Sequence, residues 1–317
     1  MKVISVLDTT IASYNLGNEI IMDAINSIVE DLFKKDFVYK LAWEGGYSRT
    51  AIKCMTASDH IFFGGTNALS SHVLRYKQMG FRLRDILYVR NLTLLGVGWW
   101  QYQGKPDLYT RFFFRGLLNA SLMHSVRDSY TKEKLESMGI SNVLNTCCPT
   151  TWGLTPEHCA GIPTTKVEAV VVTLTDYNQQ AEADYKLLCK LMGYYKKIYY
   201  WVQGVGDKNY IESFKLPRDR VEIIDPNLRS YDEILGKEAC DYIGLRLHAG
   251  IRAIQYKKRA LILAVDNRAT EISRDIGLNV VERSDMSGIE KFIQEPFSTK
   301  LNIPFEAIEM WKSQFKA

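Results

Sequence analysis

Residues 242–265 read YIGLRLHAGIRAIQYKKRALILAV, and this stretch decides the fold. Residues 242–245 form a short apolar run, residues near 248–257 place apolar side chains at helical spacing, and 261–265 is a second apolar run of strand length. Two apolar strands bracketing a helix make a βαβ unit, and the crossover sets the strands parallel. The same alternation extends outward in both directions. Downstream come a helix near 269–276, a strand at 279–281 and a last helix at 304–316 opened by Pro304. Upstream lie strands at 167–173, 198–202 and 221–224, with a helix at 178–193.

The first half repeats the pattern. Strands are expected at 3–7, 37–41, 60–63, 92–97 and 122–126, and helices at 17–33, 107–119 and 128–138. The last of these begins with the cap types Asp128 and Ser129 and ends at Gly139. The segment 155–166, TPEHCAGIPTTK, carries two prolines and a glycine without any period, and reads as a linker. The expected architecture is therefore α/β, with two Rossmann-like domains facing across a cleft. They would span 1–158 and 159–317, with the last helix returning to the first domain. In parallel sheets of this kind ligands sit at the carboxyl ends of strands.

Composition agrees and excludes several classes. The 317 residues are 46% hydrophobic and 24% charged, which rules out collagen-like, disordered and disulfide-scaffold chains. Forty Lys and Arg against 36 Asp and Glu leave a net charge of +4, too little for a dedicated nucleic-acid binder. The N-terminal apolar run is five residues long before Asp8, which suits a first strand and is too short for a signal peptide. No stretch reaches the roughly 18–20 apolar residues of a membrane span. The six cysteines show no framework spacing, so reduced thiols in a cytoplasmic protein are expected. Cys147, Cys148, His158 and Cys159 lack the spacing of structural zinc ligands, and no metal is expected.

Chemistry is expected where polar side chains stand at strand exits. Arg246, His248 and Arg252 cluster at the start of the helix after 242–245, where a guanidinium, an imidazole and free helix N–H groups suit an anion. The spacing equally fits a structural histidine beside an ion-paired Arg246. Arg127, in SVRDS at 125–129, is the counterpart in the first half, with pairing to a nearby carboxylate as its plainer reading. Asn15-Leu16-Gly17-Asn18-Glu19 opens the first helix, and Gly64-Gly65-Thr66-Asn67 closes a strand and is expected to lead into another helix. Gly96-Val97-Gly98-Trp99-Trp100 offers two aromatic rings for a sugar or for the core. The stretches YTRFFFRGLL at 109–118 and YYKKIYYW at 194–201 fit a membrane surface, or a core-facing helix and a strand.

In order along the chain these segments resemble the polysaccharide pyruvyl transferase family. The likeness runs through Asn15-x-Gly17-Asn18-Glu19, Gly64-Gly65, Gly96-x-Gly98 and Val126-Arg127-Asp128-Ser129. It continues through Arg246-Leu247-His248-Ala249 and Asp266-Asn267-Arg268. Asn18 stands where the family commonly has Asp, Thr66 where it has a third glycine, and Arg268 where it has Lys. The resemblance implies a fold similar to GT-B glycosyltransferases, phosphoenolpyruvate as co-substrate without another cofactor, and a glycan or lipid-linked saccharide as acceptor. The expected location is cytoplasmic, with peripheral attachment at the inner face of the membrane as a further expectation. Arg127, Arg246 and His248 would contact the donor, with Leu247 and Arg268 beside them. Asn15, Gly17, Asn18, Gly65 and Thr66 would line the acceptor side. Two other readings remain. One is a nucleotide-sugar glycosyltransferase on the same scaffold, for which Glu271 and Asp285 are the available acids. The other is a catalytically silent glycan-assembly protein.

Overall fold

The computed structural model describes residues 1–316. Contacts divide the described residues into two units, one of 1–13, 21–152 and 303–316, the other of 14–20 and 153–302.

The first unit is built on parallel strands β1 (Val3–Asp8), β2 (Phe37–Ala42), β3 (His60–Gly64) and β4 (Leu92–Leu95), in the order β2-β1-β3-β4. Helix α1 (Gly17–Leu32) lies between β1 and β2 in the chain, and the division between units falls within it. Helices α2 (Arg49–Thr56), α3 (Val73–Tyr76), α4 (Leu108–Leu117) and α5 (Ser129–Glu136) follow in turn. The short parallel pair β5 (His124–Val126) and β6 (Val143–Asn145) continues the sheet, because Gly96 donates its N–H to Ser125 O at 2.9 Å and Val97 bridges Val126. The order is that of flavodoxin-like sheets. Residues 4–8 of β1 are buried, as expected of a strand covered on both faces.

The second unit begins with helix α6 (Pro156–Ala160), then β7 (Ala169–Thr173), α7 (Ala181–Tyr194), β8 (Lys197–Trp201), α8 (Asp207–Glu212) and β9 (Val221–Ile224). After them come α9 (Leu228–Lys237), β10 (Cys240–Gly244), α10 (Leu247–Gln255), β11 (Ala260–Ala264), α11 (Asn267–Ile276), β12 (Val280–Glu282) and α12 (Met286–Gln294). All six strands pair in parallel in the order β12-β11-β10-β7-β8-β9. This is the doubly-wound dinucleotide-fold order, whose reversal lies between β7 and β10. β7, β10 and β11 are buried throughout, which explains their largely apolar sequences, and the buried Asp241 of β10 pairs with Arg259. The final helix α13 (Phe305–Ser313) belongs to the first unit, where Trp311 packs against Phe62 and Trp152.

Three local expectations change. The linker at 155–166 contains α6, because the Thr155 hydroxyl accepts the His158 N–H and Pro156 occupies the first turn. The boundary expected at 158/159 thus falls inside a helix, and the division lies at 152/153. Thr66 leads into no helix directly. Gly65 and Thr66 both take left-handed backbone (φ 66° and 56°), and Leu69 then bridges Trp99.

Candidate functional site

In the second unit, the reversal between β7 and β10 leaves a crevice where the helices after the two strands part to opposite faces of the sheet. The chain after β10 enters it at once. Arg246 is the N-cap residue of α10 and has no side-chain oxygen to offer the first N–H groups of that helix. Leu247 and His248 form its first turn, and His248 is only 6% exposed.

The Arg246 guanidinium is buried and tied down. Its Nη2 donates to Asp207 Oδ1 and Oδ2 at 2.6 and 2.7 Å and to Asp176 Oδ1 at 3.2 Å, and its Nε donates to Leu174 O at 3.1 Å. Asp207 opens α8 and also accepts the N–H groups of Gly204 (2.8 Å) and Asp176 (3.0 Å). Burial lifts the Asp207 carboxyl above the ordinary range, against the pull of Arg246. Gly204 leaves room for the pair, since a Cβ there would meet Arg246 Nη2 at 2.5 Å. The Tyr177 ring lies 5.1 Å from the Arg246 guanidinium carbon, and its hydroxyl accepts from Arg268 Nη2 at 3.0 Å. Arg268 is itself chelated by Asp266, the N-cap of α11.

These groups meet in one narrow cavity of about 20 Å³, lined by Asn15, Tyr177, Gln203, Arg246, Leu247, His248, Asp266 and Arg268 among others. Asn15, expected on the acceptor side, lines the same cavity as Arg246 and His248. Leu16 N–H bonds Gln203 O (3.0 Å) and Asn15 Oδ1 accepts from Gln203 Nε2 (2.8 Å), tying the start of α1 to the loop after β8. A Cβ at Gly17 would press on Gln203 at 2.7 Å, so this glycine serves that contact. Asn18 sits half-buried in the first turn of α1.

Arg127 lies in the first unit at the exit of β5, 2% exposed. Its Nη2 donates to Asn67 Oδ1 at 2.7 Å and to Asp128 Oδ2 at 3.2 Å. Gly98 makes its space, since a Cβ there would meet Arg127 Nη2 at 2.2 Å. Gly98 N–H bonds Thr66 O, so the turn at Gly65-Thr66 and Arg127 share one strand-end cluster. Trp99 is fully buried in the core, and Trp100 packs on Tyr76 with centroids 4.6 Å apart.

Each candidate arginine is therefore matched by a carboxylate: Arg127 by Asp128, Arg246 by Asp207, and Arg268 by Asp266. The plainer reading of an ion-paired Arg246 is what the geometry contains. The guanidiniums are fixed in place, and no side chain of the N-cap residue caps the start of α10. Asp176, Tyr177, Gln203 and Asp207 escaped the sequence reading. They follow β7 and β8, and only the strand order brings them to Arg246. Elsewhere, Asp285 caps α12 through Gly288 N–H, and Glu271 is buried against Arg274. His158 bonds Ile254 O, and among the described residues no group of three or more His, Cys, Asp or Glu could hold a metal.

The family model for polysaccharide pyruvyl transferase matches residues 15–267. The chain belongs to the polysaccharide pyruvyl transferase family. Among solved structures it is similar to the UDP-GlcNAc 2-epimerase of Methanocaldococcus jannaschii in complex with UDP-GlcNAc and UDP (TM-score 0.59, 11% identity, all of both chains covered). It is also similar to MnaA of S. aureus with UDP (TM-score 0.56, 12% identity, 98% of this chain and 95% of that one). The UDP-GlcNAc 2-epimerase of Neisseria meningitidis is a third (TM-score 0.50, 13% identity, full coverage of both). A comparison with curated proteins finds no match. This pyruvyl transferase family member thus has a GT-B-type fold of two Rossmann-like units. The family match begins at Asn15 and ends at Asn267, the residue after Asp266, so it spans most of the cavity's lining segments.

Proposed function

We propose that the protein transfers pyruvate from phosphoenolpyruvate onto a sugar of a polysaccharide or lipid-linked precursor, as a ketal. One observation carries this reading. Residues from separate stretches of the family pattern, Asn15, Arg246-Leu247-His248 and Arg268, line a single cavity at the strand-order reversal of the second unit. The donor carries a phosphate and a carboxylate, and an uncapped helix start beside fixed guanidiniums is complementary to such a dianion.

The reaction needs a proton on C3 of the enol, which makes C2 electrophilic. One sugar hydroxyl adds to C2 and the C2–O bond to phosphate breaks. A second hydroxyl then closes the ketal. One hydroxyl proton balances the proton gained at C3, and the other leaves with phosphate. His248 is the group assigned to proton delivery or to the phosphate, because an imidazole exchanges protons near neutral pH. Arg246 and Arg268 stabilise the departing phosphate from fixed positions. Arg127 is proposed as a further donor contact, and Asn18, Gly65 and Thr66 as acceptor contacts.

Thermal melting separates this from nucleotide-sugar chemistry. Phosphoenolpyruvate at 100 times its dissociation constant should stabilise by about 2.7 kcal/mol, while UDP should leave the melting temperature unchanged. Stabilisation by UDP alone overturns the donor assignment. A folded His248→Ala variant that still releases phosphate from phosphoenolpyruvate at the unmodified rate, in the presence of acceptor, overturns the role of His248.

A further inference from the structure

The first unit carries a surface that the chemistry above does not use. Residues 72–118 contain eight Lys and Arg against two Asp, an excess of six in a chain whose whole net charge is +4. Of the two acids, Asp85 is buried, and Asp107 caps α4 and bonds His72. Arg75, Lys77, Arg82, Arg84, Arg90 and Lys105 are all exposed. Large apolar side chains stand among them: Leu108 is 82% exposed, and Leu74, Leu87, Tyr88 and Phe112 each 62%.

Leu74, Arg75, Arg84, Leu87, Leu108 and Phe112 sit on three short helical elements that pack together, and the other residues lie in the segments flanking them. The Val73 N–H at the start of α3 donates to Thr110 Oγ1 of α4 at 3.1 Å. The 3-10 turn Leu83–Leu87 places Ile86 directly under Gly116 of α4, where a Cβ would meet it at 2.9 Å. Leu74, Leu83 and Tyr109 line one cavity between the three elements. In α4, Thr110, Phe113, Phe114 and Leu117 turn inward, which leaves Leu108 and Phe112, four residues apart, on the solvent face.

We infer that this basic and apolar face docks on an anionic lipid surface. Leu and Phe side chains beside lysines and arginines suit the boundary between headgroups and acyl chains, where both kinds of group are satisfied. A second copy of this chain is a poor occupant, because a two-fold interface would set the six excess positive charges against themselves. The surface would keep the enzyme where lipid-linked acceptors lie. It depends on neither the donor nor the transfer reaction, so its failure leaves the melting experiment above untouched.

Co-sedimentation of the full chain with vesicles tests it. Binding is expected to vesicles of phosphatidylcholine mixed with phosphatidylglycerol, but not to phosphatidylcholine alone, and should weaken as salt is raised. Each arginine contributes about fivefold to partitioning, so Arg84→Gln with Arg90→Gln should weaken binding about 25-fold. Leu108→Ser with Phe112→Ser should abolish it at an unchanged melting temperature. No binding to the mixed vesicles, equal binding to both compositions, or binding indifferent to these variants overturns the inference. So does concentration-dependent self-association that Phe112→Ser removes, which would give the face to a second copy.

Discussion

Removing the Asp207 carboxylate should test how Arg246 is held. The side chain is fully buried and accepts from Arg246 Nη2, Gly204 N–H and Asp176 N–H. Asp207→Ala leaves two backbone donors and part of a guanidinium without their acceptor, and Asp176, bonded more loosely at 3.2 Å, is the nearest substitute. Breaking a buried pair from one side costs about 3–5 kcal/mol. At roughly 2–4 °C per kcal/mol for a unit of this size, the melting temperature should fall by roughly 6–20 °C.

The raised Asp207 carboxyl sharpens the expectation. Burial acts on it more strongly than Arg246 does, so the attraction within the pair does not fully offset the loss of water. Replacing both partners, Arg246→Met with Asp207→Leu, should therefore return stability to within about 1–2 kcal/mol of the unmodified protein. The two single variants and the double variant, followed by thermal and urea unfolding, form a cycle that reads the coupling. The double variant should be folded and yet gain nothing from phosphoenolpyruvate. If Asp207→Ala costs less than about 1 kcal/mol, or the double variant loses the sum of the singles, the pair does not anchor Arg246. If the folded double variant is stabilised normally by phosphoenolpyruvate, Arg246 does not bind the donor.

His124 accepts the Leu94 N–H at Nδ1 and donates from Nε2 to Asn119 O, and burial pushes its pKa down to about 4. Its contribution is complete above the unfolded value near 6.5 and is lost as pH falls towards 4. The loss amounts to about 3 kcal/mol at 1.36 kcal/mol per unit. Urea unfolding from pH 7.5 to 4.5 should show that slope, and His124→Gln should flatten it; an unchanged slope refutes the assignment. Gly204→Ala should cost about 1–3 kcal/mol by displacing Arg246, whereas Gly153→Ala, whose added Cβ meets nothing, should stay within about 0.5 kcal/mol. Asp128→Ala removes both the α5 cap at Thr131 and the partner of Arg127, and should cost at least the 3 kcal/mol or so of a broken buried pair; a smaller loss on melting would refute the pairing.

Long buried strands and capped helices were legible in the sequence because one local cause fixes them. The runs at 3–7, 60–63 and 261–265 became β1, β3 and β11, and the cap at Asp128 opened α5 as read. What escaped was short or signalled by one residue. β6 has three residues, and α9 and α12 depend on caps at Asn227 and Asp285 that resemble ordinary turn residues. The cavity was half legible. Arg246 and His248 announce themselves at a strand exit and Arg268 through the family resemblance, but Asp207 lies 39 residues from Arg246 in the chain. Only the parallel order β10-β7-β8 makes them neighbours, and strand order is a product of the whole sheet.

The two units solve one physical problem in the same way. A guanidinium at a strand exit is too long and too well hydrated to be fixed by packing alone. Gly98 and Gly204 give up their side chains to admit Arg127 and Arg246, and Asp128 and Asp207 then lock each fork from beneath. An arginine so held loses little side-chain freedom when an anion arrives, so more of the interaction appears as binding. The matching carboxylate offsets the local charge of each fork while leaving it fixed. Under the proposed donor assignment, affinity for a small anion comes from fixed donors, the Arg246 guanidinium and the start of α10, with little help from charge at a distance. On that account, binding of phosphoenolpyruvate should weaken far less with salt than the docking of the basic face at 72–118.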